Sequence, residues 1–322
     1  PRSEAALMRA TASPPIRKGV TTPQGAGSWT DSAAYNPATR TWRPLPEAPQ
    51  SRWGHAQGVW TGQEAIIWGA GDGRSDPVSM AYNPATNRWR RINPGPLGMR
   101  TFPTMLWTGR EVLVWGGYDI SNPPPYHSAA DGAAYDPVTD TWRRLAAGPL
   151  AGRFGHTAAW TGKEMLIWGG VSGEEGGPPL PDSGAAYDPA ADTWRVLPAG
   201  PLTAVYSPTA AWTGTQLIVW SGVHGAAYDA ATDRWTALPD GLANRDAQAV
   251  WTGREIVVFG GSTAQTYDPQ TRTWHGQSST PPSITSARVN HRMVWTGTEV
   301  VVFGGRTGND LLADGAAWRR TG

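Results

Sequence analysis

The sequence predicts an all-β repeat protein, and three observations carry that prediction. A dodecamer built on Trp-Thr-Gly and a following apolar run recurs at 59–70, 106–117, 159–170, 211–222, 250–261 and 294–305. In every copy a second aromatic stands eight residues after the first: Trp60/Trp68, Trp107/Trp115, Trp160/Trp168, Trp212/Trp220, Trp251/Phe259 and Trp295/Phe303. Between and before these copies runs a second module with Tyr and Trp seven apart, at 35/42, 82/89, 135/142, 187/194, 228/235 and 267/274. Thirdly, the 40 Gly and 29 Pro fall at turn positions between apolar runs, which points to many short strands rather than to a disordered chain.

The dodecamer is a hairpin. Apolar residues lead up to Trp, Thr-Gly supplies a tight turn whose Gly can take positive φ, and a β-branched run such as Ile256-Val257-Val258-Phe259 returns. The Gly-Gly that usually ends it stops the strand and allows close backbone approach. The second module is another hairpin: Asn or Asp after the Tyr caps the turn through its side chain, and the Pro that follows presets φ. Only the Asp229-Ala230 copy lacks that Pro. Two hairpins make a four-strand unit, whose length runs from 39 residues (Trp212 to Trp251) to 53 (Trp107 to Trp160). Sheets arranged radially bury both faces, and large flat side chains fill the wedges between them. All of the 19 Trp except Trp29, Trp53 and Trp318 stand at repeat positions, so the tryptophans are read as core packing rather than ligand stacking.

Composition narrows the function classes. Net charge is +1 with both signs mixed along the chain, so no basic patch presents itself to a nucleic-acid backbone or an anionic membrane. No apolar stretch approaches the ~20 residues that cross a bilayer. The absence of cysteine removes disulfides, thiolate metal sites and cysteine nucleophiles, without fixing the compartment. The chain begins at Pro1, so any signal peptide lies outside it. The expected setting is extracellular or periplasmic, and the Ala/Arg-biased, Trp/Gly/Pro-rich style looks like that of a high-GC bacterial protein.

Paired glycines after an apolar strand, followed by a Tyr and a Trp with six residues between them, resemble the kelch repeat of β-propellers over residues 32–318. The resemblance implies one propeller of four-stranded blades spanning 1–322; it says little about function, because that architecture hosts partner-binding modules and unrelated enzymes alike. Two closures are open. In one, seven blades form, residues 1–48 are a degenerate first blade and the last blade keeps three strands. Pro1–Leu7 then aligns with the start of a first strand, and Arg9 and Arg17 replace the aromatic pair. In the other, six blades form, the strand carrying Trp42 closes the last blade, and the N-terminal segment is peripheral. Seven is preferred by a narrow margin.

In a propeller the strand two-to-three and four-to-one connections share one face, and here they vary while the opposite turns are near-identical, so function is sought among them. An Arg recurs at the start of strand one (Arg52, Arg100, Arg153, Arg288, and Arg245 shifted by one), with a His three residues on in three units (His55, His156, His291). One reading is a ring that receives an anionic or polyhydroxyl ligand. The other, favoured by the recurrence, is that these groups hydrogen-bond backbone carbonyls and tie blades together. Units that break the pattern supply Tyr206, Arg245 and Asp246, a candidate asymmetric patch beside His224. The long connections at 71–80, 117–132, 170–184 and 305–315, against short ones after Trp220 and Phe259, make a lopsided rim.

Motif tests return little catalytic chemistry. The cross-linked Tyr–Cys cofactor of kelch-type copper-radical oxidases needs a cysteine. His-Glu-x-x-His, phosphate loops, a Gly-x-Ser-x-Gly elbow and the sialidase Asp-box are not present, the loop around Asp182 is a weak calcium loop for want of oxygen ligands at alternate positions, and no metal or cofactor is expected. The expectation is a monomeric binding module for a protein, peptide or carbohydrate partner. The alternative is a sugar epimerase or mutarotase, in which one of His55, His156, His291 or Glu175 moves a proton at the channel mouth.

Overall fold

The computed structural model describes residues 6–8, 33–49, 57–70, 78–120, 127–173, 180, 184–203, 205–241, 247–261, 263–279, 287–307, 310–312 and 314–318. They form an all-β molecule made largely of four-stranded antiparallel sheets, compatible with a blade-repeat β-propeller. Sheet I holds Ala6–Met8, Ala33–Asn36 and Thr41–Pro44; sheet II holds Gln57–Trp60, Ala65–Ala70, Val78–Asn83 and Arg88–Arg91. Sheet III comprises Thr104–Trp107, Val112–Trp115, Gly132–Asp136 and Thr141–Arg144; sheet IV comprises Thr157–Trp160, Met165–Trp168, Gly184–Asp188 and Thr193–Val196. Sheet V follows with Thr209–Trp212, Gln216–Ser221, His224–Asp229 and Arg234–Leu238, and sheet VI with Gln248–Trp251, Ile256–Gly260, Thr263–Asp268 and Thr273–Ser279. Sheet VII has three strands, Arg292–Trp295, Val300–Phe303 and Gly315–Trp318.

Sheet IV shows why this sequence makes these strands. Its second strand, Met165-Leu166-Ile167-Trp168, is apolar throughout and wholly buried, because it lies mid-sheet with both faces covered. Side chains alternate: Met165 and Ile167 pack toward sheet III, Leu166 and Trp168 toward sheet V. The Thr161 hydroxyl closes the first turn by accepting from the Glu164 amide at 2.8 Å, and Gly162 sits at φ 95°, where a Cβ would be strained. In the second turn Asp188 Oδ1 accepts the amides of Ala190 (2.9 Å) and Ala191 (3.3 Å). Asp229, without its Pro, makes the same pair to Ala231 (3.1 Å) and Thr232 (2.9 Å), so the carboxylate alone suffices for the turn.

Between sheets the repeat aromatics interlock. Trp194 of sheet IV packs on its own Tyr187 at 5.0 Å and on Trp115 of sheet III at 5.7 Å, and its indole donates to the Ala146 carbonyl at 2.9 Å. A charge relay runs along the same seams. Arg195 grips Glu164 of its own sheet with two bonds (2.9 and 2.8 Å), then reaches Asp233 (2.9 Å) and the Tyr228 hydroxyl (3.2 Å) of sheet V. Tyr228 donates to Asp233 at 2.5 Å; burial foremost, and then this bond, pushes its pKa up to about 12.

Buried clusters join I to II, II to III, and so on to VII. Sheet I also meets sheet VII. Tyr35 and Val301 share a buried cluster with Phe303 and Ala317, and Trp42 packs on Phe303 at 5.0 Å, as Trp194 does on Trp115. Thr41–Pro44, which carries Trp42, pairs with Ala33–Asn36 of its own sheet rather than with sheet VII. One detail departs from the sequence alignment. Ala6–Met8 takes the second-strand place, Ala6 opposite Tyr35 as Met165 is opposite Tyr187. Arg9 and Arg17 lie outside the described residues.

Candidate binding face

The connections between strands two and three and those leading into strand one lie together and build a thin layer of their own. Tyr118–Asp119 pairs with both Arg100–Thr101 and His127–Ser128, and Phe154 bridges to Val171. The height of this layer differs around the molecule: 16 residues separate Trp115 from Gly132, but Ser221 pairs directly with His224 across a two-residue turn.

The recurrent arginines are interior. Arg100 donates to the carbonyls of Gly116 (3.3 Å) and Asp131 (3.1 Å) and pairs with the Asp131 carboxylate at 2.7 Å. Arg288 repeats this on Gly304 (3.1 Å), the Asp314 carbonyl (3.4 Å) and its carboxylate (3.0 Å). Arg153 donates to the carbonyls of Gly169 (3.0 Å) and Ala151 (3.2 Å). Each guanidinium thus holds the glycine that ends strand two, and burial depresses Arg153 to about 10.

The two described histidines of the pattern are enclosed as well. His156 Nε2 lies 2.5 Å from the Thr104 hydroxyl of sheet III, and its ring meets Trp115 edge-on at 5.3 Å. Burial first, and then Arg153, pushes its pKa down to about 3. His291 is fully buried, edge-on to Phe259 at 4.9 Å, and is depressed to about 4 by burial, with Arg288 and Arg292 adding to it. Both are neutral imidazoles at neutral pH, placed as ties between adjacent sheets.

Tyr206 and His224 are different: both reach the surface. His224 is exposed and its Nδ1 meets Asp240 at 3.0 Å. Tyr206 is 38% exposed and lies over Gly155, where a Cβ would stand 2.5 Å from its ring. It meets Phe154 at 5.8 Å and Phe102 edge-on at 6.3 Å, while Tyr118 packs beneath on Phe154 at 5.0 Å. Phe102 and Phe154 were not singled out by sequence reasoning. The available signal was an aromatic beside or near the recurrent Arg in consecutive units, which no repeat position requires. Arg52, His55, Arg245, Asp246 and Glu175 lie outside the described residues, so the Tyr206–Arg245–Asp246 grouping is not assembled here.

Phe102 is the strained member. It sits at φ 53°, at the position where sheets IV, V and VII place Gly155, Ser207 and Asn290 in the same left-handed conformation. A bulky residue held there costs on the order of 1–3 kcal/mol and persists only when its surroundings require it. What it gains is the ring contact with Phe154 and Tyr206. Among the described residues no group of three or more His, Asp or Glu could hold a metal ion, and no helix is long and apolar enough to cross a membrane.

Comparison with protein-family models produces no match, and comparison with curated proteins likewise produces none.

Proposed function

We propose that this chain is a seven-bladed kelch-type β-propeller that presents its variable-loop face to a protein, peptide or carbohydrate partner. Support for seven blades comes from the contact of sheet I with both its neighbours, with sheet II through Ala34 and Leu45 and with sheet VII through the Trp42–Phe303 pair, which is of the kind that joins other sheets. Support for kelch-type blades is the fixed Trp-Thr-Gly and Tyr/Trp spacing, whose side chains fill the seams.

The observation that carries the binding reading is the aromatic corner of Phe102 and Tyr206. Its rings come from different units, stand edge to face, and include a residue at φ 53° that packing of the repeat does not demand. Preorganised aromatic surface with one polar tip suits both the apolar face of a sugar ring and a prolyl or aliphatic side chain. The sugar-enzyme alternative would need a proton-moving group against the ligand, whereas His156 is bonded to Thr104 and His291 is fully buried. Screening the chain on glycan and peptide arrays, then repeating each hit with Tyr206→Ala, tests the proposal. A ligand whose affinity falls about tenfold or more, with thermal stability kept, supports it. Hits that ignore both Tyr206→Ala and Phe102→Asn would place the binding surface elsewhere.

A further inference from the structure

We propose that the seam between sheets V and VI binds a carboxylate group from outside the chain, received by the Arg272 guanidinium and the Tyr267 hydroxyl. The site stands at the Asx-turn end of the strands, away from the loop face, and is independent of the binding reading given to that face.

Three seams show one arrangement. Tyr135, Tyr187 and Tyr228 each donate a hydroxyl to a carboxylate five residues on, Asp140 at 2.7 Å, Asp192 at 2.5 Å and Asp233 at 2.5 Å. An Arg on the preceding sheet's fourth strand grips a Glu of its own sheet: Arg90 on Glu64 at 2.7 Å, Arg143 on Glu111 at 2.6 Å and Arg195 on Glu164 at 2.8 Å. In two of the three the same Arg also reaches the aspartate, Arg143 to Asp192 at 3.6 Å and Arg195 to Asp233 at 2.9 Å.

The seam between sheets V and VI changes every charged member. Gln216 stands in the place of Glu164, Thr236 in that of Arg195 and Arg272 in that of Asp233. Glu, Arg and Asp together carry one negative charge, whereas Gln, Thr and Arg carry one positive charge. Tyr267 keeps its place and is fully buried, yet its hydroxyl has no hydrogen-bond partner. Burial foremost raises its pKa and Arg272 opposes that rise, so the cation lies within electrostatic reach of the phenol. Arg272 is exposed, sits at φ 57° where Asp192 and Asp233 sit at 53° and 54°, and makes no ion pair among the described residues. The carboxylates of the two facing turns are engaged. Asp229 accepts from the amides of Ala231 and Thr232 and from the side chain of Gln216, and Asp268 from the amides of Gln270 and Thr271.

A buried hydroxyl that finds no acceptor calls for one, and a cation without a counter-charge at the same place specifies its kind. The acceptor is anionic and small, and the neighbouring seam shows its geometry: the Asp233 carboxylate takes the Tyr228 hydroxyl at 2.5 Å and a guanidinium at 2.9 Å. Thr236 is exposed and far shorter than the arginine it replaces, so the guanidinium that sheet IV sends into its seam has no counterpart from sheet V. An entering carboxylate would gain charge-assisted bonds from both donors.

The test is titration of the 322-residue chain with isotope-labelled acetate at constant ionic strength, followed by NMR line-broadening of the carboxylate resonance. Saturable one-site binding with a Kd on the order of 1 mM is expected. Arg272→Ser and Tyr267→Phe, the second removing only a hydroxyl, should each weaken it about tenfold. Arg272→Asp supplies the carboxylate from within the chain. It should abolish acetate binding and raise the melting temperature, and the rise should shrink when Tyr267→Phe is added. The proposal fails if the wild-type chain binds no acetate, which would leave an ordered water as the partner of the hydroxyl. It fails equally if neither single variant changes the affinity, or if Arg272→Asp gains the same stability with and without the Tyr267 hydroxyl. Inorganic phosphate binding about tenfold more tightly than acetate would also overturn it, by making the group a phosphate.

Discussion

Burial holds His156 and His291 neutral at about 3 and about 4, against 6.5 for a free imidazole. Below about 6.5 the unfolded chain binds protons that the folded chain refuses, so stability falls as pH drops from 6.5 toward 4. Between pH 7 and pH 5 the expected loss is about 2 kcal/mol per histidine. Urea unfolding at the two pH values measures it, and His156→Gln or His291→Gln should flatten the dependence even though each lowers stability at pH 7. At Phe102 two effects oppose one another: Phe102→Asn relieves the left-handed strain but forfeits the ring contacts. Stability should then change by less than about 1 kcal/mol while any loop-face binding is lost. A large destabilisation without loss of binding would assign the residue to packing alone.

At the scale of the element, the second strand and the seam it fills decide stability. Trp115 and Trp168 are 1% exposed, and truncating either to Ala should cost about 3–5 kcal/mol through lost contacts and a cavity between two sheets. The relay is a smaller contribution because its arginines are about a third exposed. A double-mutant cycle on Glu164 and Arg195 should return a coupling of roughly 1 kcal/mol, weakened by salt. The relay also covaries from seam to seam. Where a fourth strand brings Arg143 or Arg195, the next sheet answers with Asp192 or Asp233; where sheet V brings Thr236 instead, sheet VI carries Arg272. Arg40 opposite sheet VII follows the same rule, a cation placed where the described residues of the preceding sheet bring none to Glu299.

Across the whole molecule, the contact between sheets I and VII matters most, since the proposed propeller would close through it. Tyr35 donates to Glu299 at 2.7 Å and Arg40 neutralises the same carboxylate. Glu299→Arg alone should lower the melting temperature by burying a cation beside Arg40, and Arg40→Glu added to it should recover much of the loss. Small-angle scattering of the two variants reads closure directly: an opened seam raises the radius of gyration, and an unchanged profile with unchanged stability would remove this contact from the closure.

The sequence by itself determined the strand pattern, both turn chemistries and the assignment of the tryptophans to packing. These are local properties: period-two burial, a Gly at positive φ and an Asx side chain bonding amides two and three residues on all act within a dozen residues. The Arg/His recurrence was legible as a pattern but admitted two readings, and only the tertiary structure shows Arg100, Arg153 and Arg288 spent on carbonyls 16 residues away. The aromatic corner was hidden for a related reason. Phe102, Phe154 and Tyr206 belong to different units, and their meeting depends on how far each sheet rotates about its neighbour. The place of Ala6–Met8 and the reach of Arg40 to Glu299 likewise depend on which strands become neighbours at the ends of the chain. Repetition makes one unit readable from the next, whereas the seam where the first sheet meets the last has no second copy in the sequence, and only packing in three dimensions decides it.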